Sequence, residues 1–378
     1  MQRERIPTIE DCSKLGYAIS FVLTDRSIYM DQTKKIGIVT GGGDCAGLNT
    51  VIASIVKAGI PLGYEFVGFE RGWNGLLSPT MSIPLDLAAV RHISHQGGTI
   101  LKTTNKGRFR IENGTGGRVP MEVLQEAKAN LDRMGIAGII ALGGDGSLTA
   151  AMQLGELGIH LVGVPKTIDN DLGSTDRTFG FSTAVQIATE AIDRVHTTAA
   201  SHERIFIVEC MGAHAGWITL FAGLAGSADA ILIPERRFEI CNLVSWLKLR
   251  QSEQHSAVIA IAEGVRLGGE AETSLGGVSG RLMREIEAVA PDTFEMRAVV
   301  LGHTQRGGTP NAEDRLLSKR YGVAAMQAYA NGKYGQMVAL KNGMIRSVPI
   351  LEAVGSLHLV SDETPELQVA KSLGVFIG

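Results

Sequence analysis

The stretch Ile36-Gly-Ile-Val-Thr40, which continues as Gly41-Gly-Gly-Asp44, decides the predicted fold, because a short apolar run ends there in glycines and a polar side chain. The same pattern recurs where Ala137-Gly-Ile-Ile-Ala-Leu142 continues as Gly143-Gly-Asp-Gly-Ser147. Four further apolar runs end in the same way, within residues 161–171, 204–216, 256–264 and 299–308. Short continuous apolar runs predict strands that are buried on both faces, and therefore a parallel sheet.

Helical patterns lie between these runs. Ala184, Ala188, Ile192 and Val195, for example, form an apolar stripe at helical spacing. Strands that alternate with helices predict a doubly wound α/β fold. In such folds ligands bind beyond the carboxyl ends of the strands, which is where all six polar clusters are expected to lie.

Length, charge and cysteine content limit the class of protein. A chain of 378 residues exceeds what one core comfortably holds, so two lobes are expected. The net charge of −3 gives no reason to expect nucleic acid or an anionic membrane as partner. Four cysteines without CxxC spacing favour a reducing compartment. No signal-peptide core and no apolar run of the roughly 18–20 residues that span a membrane occur, so a cytoplasmic protein is predicted.

The first glycine loop, Thr40-Gly-Gly-Gly-Asp-Cys-Ala-Gly-Leu-Asn49, follows a predicted strand and opens a predicted helix. Glycines at that place let backbone N–H groups approach a phosphate at the positive end of the helix. Gly41, Gly43 and Ala46 also match a loose G-x-G-x-x-A pattern, and Glu70 ends the next apparent strand, so dinucleotide binding is an alternative. A plain strand–helix turn is a second alternative.

The loop Gly143-Gly-Asp-Gly-Ser147 places a carboxylate between glycines at a strand end. Mg²⁺ commonly binds one or two carboxylates and keeps several waters, so Asp145 is the candidate metal ligand. The alternative is a turn at a helix start that Asp145 or Ser147 caps.

Paired aspartates in Pro165-Lys-Thr-Ile-Asp-Asn-Asp171 give the strongest chemical indication. If the stretch is extended, the side chains of Thr167, Asp169 and Asp171 point the same way. Two crowded carboxylates raise each other's proton affinity, so one of them can act as a general base. Phosphoryl transfer requires such a base and positive charge around the transferred group. A solvated aspartate-rich turn is the alternative.

Basic side chains near predicted strand ends would supply that charge. Arg204, Arg297, His303 and Arg306 are the candidates, because arginine binds phosphate in a bidentate manner and is always charged. Glu263 would bind sugar hydroxyls or cap a turn. The sequence contains no Gly-x-x-x-x-Gly-Lys-Ser/Thr motif, which excludes a P-loop NTPase.

Taken together and in order from about residue 34 to 315, these motifs resemble those of ATP- or pyrophosphate-dependent 6-phosphofructokinases. The resemblance implies an α/β fold of two Rossmann-like lobes with mainly parallel, doubly wound sheets and the active site in the cleft between them. It implies a donor lobe of residues 34–180 plus about 305–355, a sugar-phosphate lobe of residues 181–304 plus about 356–378, and an N-terminal extension of residues 1–33.

The resemblance also implies roles for individual residues. Asp169 would be the general base on the sugar 1-hydroxyl, with Thr167 and Asp171 beside it, and Asp145 would hold Mg²⁺. The residues implied to bind the phosphoryl donor are Gly43, Lys106, Gly144, Asp145, Gly146, Ser147 and Lys166. The residues implied to bind the sugar phosphate are Thr167, Ile168, Asp169, Met211, Gly212, Ala213, Glu263, His303, Thr304, Gln305 and Arg306. Arg204 and Arg297 would reach in from a neighbouring subunit, which implies a homotetramer or homodimer.

Two positions bear on the donor. In the family, glycine at the place of Gly146 favours ATP, whereas lysine at the place of Lys166 is typical of pyrophosphate enzymes. The combination resembles a mixed-substrate subgroup, and the predicted donor is ATP because Gly146 leaves room for an α-phosphate. Pyrophosphate stays an alternative donor.

Two departures from the family pattern keep other functions open. Asn105 and Ala213 stand where the family often has arginines, and Lys106 or Arg108 are candidates to replace the first of them. A kinase of another sugar phosphate, such as sedoheptulose 7-phosphate, and a weakly catalytic regulatory subunit are therefore alternatives. A dehydrogenase would rest on the first glycine loop alone.

Overall fold

The computed structural model describes residues 34–104, 107–109, 117–268 and 276–378, and every structural statement below concerns these ranges. The predicted N-terminal extension, together with Asn105 and Lys106, lies outside them. None of the helices in the described ranges is long and apolar enough to cross a membrane.

Strands and helices alternate along most of the chain. In chain order the strands are β1 (Lys34–Thr40), β2 (Tyr64–Phe69), β3 (Ser82–Pro84), β4 (Ile136–Gly143), β5 (His160–Pro165), β6 (Ile205–Cys210), β7 (Ala230–Leu232), β8 (Ala257–Ala262), β9 (Met296–Val300), β10 (Gln336–Lys341), β11 (Met344–Pro349) and β12 (Phe376–Ile377). The α-helices are α1 (Leu48–Gly59), α2 (Met121–Arg133), α3 (Asp145–Gly155), α4 (Phe181–His202), α5 (Trp217–Ala225), α6 (Ile240–Gln254), α7 (Val278–Val289), α8 (Ala312–Ala330), α9 (Ile350–Val354) and α10 (Pro365–Ser372). Short 3-10 helices span Ile60–Leu62, Gly72–Leu77 and Gly302–Arg306.

The strands of the described residues form two sheets. The first has the order β11-β10-β5-β4-β1-β2-β3, in which the outermost strands β11 and β3 are antiparallel to their neighbours and the strands between them are parallel. The second, with the order β12-β7-β8-β6-β9, is parallel throughout. The predicted α/β fold with mainly parallel, doubly wound sheets is confirmed.

Strand β1 shows how the sequence produces this layering. Its residues Ile36, Ile38 and Val39 are fully buried, as expected for a strand covered on both faces. Ile38 packs in the core layer that includes α1 and α8, whereas Val39 packs in a separate layer that includes α2 and α3. Successive side chains of the strand therefore enter different cores on opposite faces of the sheet.

The order of the first sheet reverses between β1 and β4. From β1 the chain continues to β2 on one side, and from β4 it continues to β5 on the other. The loops after β1 and β4 consequently diverge and leave a crevice, although the strand ends stay joined by the bond from the Gly41 N–H to the Leu142 carbonyl (2.8 Å). Such a reversal is where open α/β sheets bind ligands.

A buried carboxylate fixes the chain where it leaves the first sheet. Asp314, at the start of α8, accepts hydrogen bonds from the Gly180 N–H (2.9 Å) and from the N–H and hydroxyl of Thr183 (2.7 and 2.6 Å). These donors belong to the beginning of α4, whose first-turn N–H groups have no partner within the helix. Helix α4 is thereby held in a fixed direction relative to α8.

Candidate active site

A cavity of about 300 Å³ opens at the crevice between β1 and β4. Most of its wall comes from the loops that follow β1, β4 and β5, and Arg306 reaches it from the 3-10 helix after β9 of the second sheet. The lining residues are Gly42, Gly43, Asp44, Trp73, Asn74, Thr104, Phe109, Gly144, Asp145, Gly146, Ser147, Lys166, Thr167, Ile168, Asp169 and Arg306. The carboxyl ends of strands from both sheets therefore meet at one cavity.

The glycines at its edge are required by close packing. A side chain at Gly41 or Gly143 would overlap Ser147, which packs against both. A Cβ atom at Gly146, by contrast, would meet nothing within 4 Å. Gly146 is the second residue of α3, so the N-terminal amides of that helix lie at the wall of the cavity, where they favour an anion.

Lys166 adds a buried positive charge to the same wall. The side chain is 5% exposed, and its Nζ donates a hydrogen bond to the Gly43 carbonyl at 2.5 Å. Burial lowers the pKa of this lysine, and the nearby Arg306 guanidinium lowers it further. The cation is thus fixed beside the first glycine loop.

The stretch with the paired aspartates forms a turn and not an extended strand. Asn170 has a left-handed backbone (φ 53°), and its side-chain oxygen accepts a hydrogen bond from the Thr178 N–H at 2.9 Å. The Thr167 hydroxyl accepts from the Asp169 N–H (3.1 Å) and donates to an Asp171 carboxylate oxygen (3.3 Å). A local turn, and not strand alternation, gathers Thr167, Asp169 and Asp171.

Asp169 has the electrostatic properties of a general base. Burial raises its pKa to about 7, with a further contribution from the Asp171 carboxylate, while Arg306 opposes the shift. Its Oδ1 is buried, and we find no hydrogen-bond partner for it among the described residues. A base with a pKa near neutrality combines the correct protonation state with useful basicity. Burial also raises the pKa of Asp171 and of Asp145, and for Asp145 the Asp171 carboxylate adds to the effect.

Arg306 interacts with carboxyl groups that follow strands of both sheets. Its guanidinium lies against Gly43, where a side chain at the glycine would overlap it. It also lowers the pKa of Asp169 and of Glu263. Burial is the largest effect on Glu263 and raises its pKa. The guanidinium is the positive charge between the Asp169 and Glu263 carboxyl groups, and because arginine binds phosphate in a bidentate manner, Arg306 is placed to contact a phosphate group at this end of the cavity.

Residues from the second sheet form a rim next to this arginine. The loop after β6 and the turn after β8 are joined by bonds from the Glu263 N–H to the Cys210 carbonyl (2.8 Å) and from the Gly264 N–H to the Gly212 carbonyl (3.2 Å). This arrangement brings Met211, Gly212 and Ala213 beside Glu263. His303, Thr304 and Gln305 lie in the 3-10 helix that carries Arg306.

A family model described as phosphofructokinase matches residues 35–329. The chain belongs to the phosphofructokinase family. This family member is 46% identical over 353 residues to the ATP-dependent 6-phosphofructokinase of Chloroflexus aurantiacus, an alignment that covers 92% of the chain and 98% of the relative. It is 47% identical over 342 residues to the pyrophosphate–fructose 6-phosphate 1-phosphotransferase of Amycolatopsis mediterranei, which covers 87% of the chain and 97% of the relative.

Solved phosphofructokinases share the fold. The crystal structure of Pichia pastoris phosphofructokinase in the T-state superposes with a TM-score of 0.76 at 30% sequence identity over 86% of this chain. The superposition covers 36% of that chain, so the present chain spans little more than a third of its length. The family resemblance inferred from the motifs is confirmed.

Arg204 and Arg297, two of the predicted substrate-binding residues of this phosphofructokinase family member, lie apart from both the cavity and its rim. Arg204 precedes β6 and Arg297 is the second residue of β9, so both occupy the amino edge of the second sheet, opposite the cavity. Both pair with Glu295, at 2.6 and 2.8 Å. Lys106, the remaining predicted donor ligand, lies outside the described residues.

One wall of the cavity is aromatic, and its residues are not among the predicted site residues. Trp73 and Phe109 line the cavity with rings stacked at 5.6 Å and an interplanar angle of 27°, and Asn74 lies next to them. Trp73 belongs to the segment that follows β2, so the rule that ligands bind beyond strand ends would have found it. The strand itself, Tyr64–Phe69, is interrupted by a glutamate and a glycine, so it is not a continuous apolar run.

The residues at the cavity fit a magnesium ion. Within the described ranges no group of three or more histidine, cysteine, aspartate or glutamate side chains has the arrangement of a protein metal cage. Mg²⁺ does not require one, because it retains waters and binds one or two carboxylates together with substrate phosphates. Asp145 faces the cavity, and its carboxyl interacts with that of Asp171. A cation there would relieve this repulsion.

Proposed function

We propose that this phosphofructokinase family member is a cytoplasmic, ATP-dependent 6-phosphofructokinase, which phosphorylates the 1-hydroxyl of fructose 6-phosphate to give fructose 1,6-bisphosphate. The observation that carries the proposal is the position of Asp169: its Oδ1 is buried and has no hydrogen-bond partner among the described residues, and it lies at a cavity that Lys166, Arg306 and the first turn of α3 also line. The name of the Chloroflexus relative, 46% identical over nearly the whole chain, supports the same activity.

In the proposed reaction Asp169 accepts the proton of the sugar hydroxyl as the hydroxyl oxygen attacks the terminal phosphorus of ATP. The bond from this phosphorus to the bridging oxygen breaks, and ADP leaves with the electron pair. Charge builds up on the transferred group, and Lys166 and the N-terminal amides of α3 are placed to stabilise it. A magnesium ion held by Asp145 would neutralise further negative charge on the donor phosphates.

The rim of the second sheet is assigned to the sugar phosphate. Arg306 and His303 would contact its phosphate, and Glu263 together with the Met211–Ala213 loop would bind the sugar. Arg204 and Arg297 lie at the amino edge of the second sheet, whereas the cavity of their own chain lies at the carboxyl ends of the strands. We therefore assign the pair to the cavity of a second copy in a homodimer or homotetramer.

Pyrophosphate is the second candidate donor. Lys166, buried beside the glycine loop, supports it, as does the name of the Amycolatopsis relative. The open space at Gly146 favours ATP, because a nucleotide needs room beyond its β-phosphate.

The donor is tested by a steady-state assay with fructose 6-phosphate and Mg²⁺, run in parallel with ATP, ADP and pyrophosphate. We expect turnover with ATP. Turnover with pyrophosphate alone would show that Lys166, and not Gly146, indicates the donor. Silence with all three donors would refute the proposed activity and direct the search to another acceptor or to a regulatory role.

The activity should fall as the pH drops through the pKa of Asp169. The carboxylate form is the base, so protonation below about pH 7 removes it, and log kcat/KM should decline toward a slope of about one per pH unit. The measurement is kcat/KM across this range, with circular dichroism at each pH to exclude unfolding. An acid limb near the ordinary aspartate pKa of 3.8 would contradict the assignment of Asp169 as a buried base.

A further inference from the structure

The segment between α9 and α10, residues 355–364 and here called the strap, contacts the turn that carries the paired aspartates. Leu357 forms an antiparallel bridge with Leu172. The backbone N–H of His358 donates a hydrogen bond to the Asp171 carbonyl at 2.8 Å. The strap therefore binds the backbone of the turn directly.

The His358 ring makes a second bond to the same turn. Its Nδ1 lies 3.0 Å from the carbonyl oxygen of Asn170. A carbonyl oxygen only accepts hydrogen bonds, so Nδ1 carries the proton. One residue of the strap thus holds two successive carbonyls, those of Asn170 and Asp171.

One of the two bonded carbonyls belongs to Asn170, a residue with an unfavourable backbone conformation. Asn170 is 4% exposed and has φ 53°, a left-handed backbone that costs free energy for a residue other than glycine. The Thr178 N–H fixes its side chain, and His358 fixes its carbonyl. Because Asp169 and Asp171 flank Asn170, this turn sets the direction in which both carboxylates point.

The backbone carbonyl of the same histidine is bound by α5, the helix that follows β6 of the second sheet. Trp217, the first residue of α5, donates from Nε1 to the His358 carbonyl at 2.7 Å, and the two rings lie 4.6 Å apart. Two residues further on, the Val360 N–H donates to Glu235 Oε1 (3.0 Å), which also accepts from the Gly216 N–H (2.9 Å). Gly216 and Trp217 follow the Met211–Ala213 loop of the rim.

We propose that His358 is a positioning residue for phosphoryl transfer. It holds the Asp169–Asp171 turn in its left-handed form and fixes the position of that turn relative to the loop after β6. The inference rests on the proposed function, because it assigns the histidine a role in the reaction of that site. His358 does not line the cavity, so it acts through the turn and not on the substrates.

The first test replaces His358 by leucine, which fills similar space without a ring donor. We expect kcat to fall roughly tenfold to a hundredfold, the range that misplacement of a reacting group causes. KM for the sugar phosphate should stay within a factor of about two, because Arg306 and Glu263 are untouched. If His358→Leu raised KM by the same factor by which it lowered kcat, the proposal would be overturned.

A rescue variant and a control separate positioning from general destabilisation. In His358→Asn the side-chain NH₂ group can take the place of the Nδ1 donor, so most of the lost kcat should return. In Asp362→Asn the strap loses its ion pairs with Arg236 (2.7 Å) and Lys371 (3.2 Å) but keeps its bonds to the turn, so kcat should be unchanged. Equal losses in His358→Asn and His358→Leu, or a matching loss in Asp362→Asn, would refute a specific role.

A third measurement does not depend on activity. Amide hydrogen exchange of peptides that cover residues 166–178 should be faster in His358→Leu than in the wild type, and close to the wild type in His358→Asn. Unchanged exchange in His358→Leu would overturn the proposal that His358 holds the turn. If the wild type shows no phosphotransfer with any donor, the proposed function fails, while the exchange data still decide whether His358 holds the turn.

Discussion

Replacing Asp169 with asparagine is expected to lower kcat by roughly 10²- to 10⁴-fold, the contribution of a positioned general base. Asparagine has nearly the same shape and cannot accept the hydroxyl proton. The KM for the sugar phosphate should change by no more than about threefold, because the side chains assigned to phosphate binding remain. Steady-state kinetics with both substrates varied measures the two quantities separately.

Asp132→Asn is the matched control for this experiment. Asp132 lies on α2, is largely exposed and pairs with Lys128 at 2.7 Å. Its replacement should leave kcat and KM unaltered. If Asp169→Asn instead raised KM as much as it lowered kcat, Asp169 would be a binding residue and the base would have to be sought elsewhere in the cavity.

Replacing Gly146 with aspartate is expected to lower kcat/KM for ATP about a hundredfold, because a carboxylate near the donor phosphates repels them by about 2–4 kcal/mol at short range. A Cβ atom at this position meets nothing within 4 Å, so the backbone accepts a side chain there. An acidic residue in the first turn of α3 is also compatible with the helix dipole. With pyrophosphate as donor the loss should be smaller, since no α-phosphate has to pass the side chain.

Gly280→Asp provides the comparison. Gly280 is the third residue of α7, and a Cβ there also meets nothing within 4 Å. The two variants therefore carry the same chemical change at similar helix positions, one at the cavity and one away from it. A comparable loss of ATP activity in Gly280→Asp would mean that the effect of Gly146→Asp is not local to the donor site.

The strands with continuous apolar runs could be predicted from the sequence. The run at residues 256–262, for example, corresponds to β8 (Ala257–Ala262), in which every residue is buried. The hairpin formed by β10 and β11 could not, because much of β11 (Met344–Pro349) is exposed or half-buried and its sequence shows no such run. A continuous apolar run indicates a strand that is buried on both faces, and edge strands lack such a run.

The candidate site was predicted in outline for a related reason. Polar clusters at strand ends converge because parallel strands share one edge, so Gly43, Asp145 and Asp169 could be grouped without coordinates. The turn at Asn170 could not be foreseen, since it depends on Thr178 and on His358, which is nearly two hundred positions further along the chain. The local sequence specifies which side chains are present at the candidate site, whereas contacts with distant residues determine their orientation.

The way the chain builds its first sheet also shapes how the protein folds. Strand β1 begins the sheet, but α8, which covers one of its faces, and β10, which pairs with β5, come from the last quarter of the described chain, after the strands β6 to β9 of the second sheet. Contacts between distant positions form slowly because a long loop must close first. Until α8 leaves the ribosome, the apolar residues that pack against it, such as Ile38 and Leu48, lack that cover, and exposed apolar surface makes a folding chain prone to aggregate.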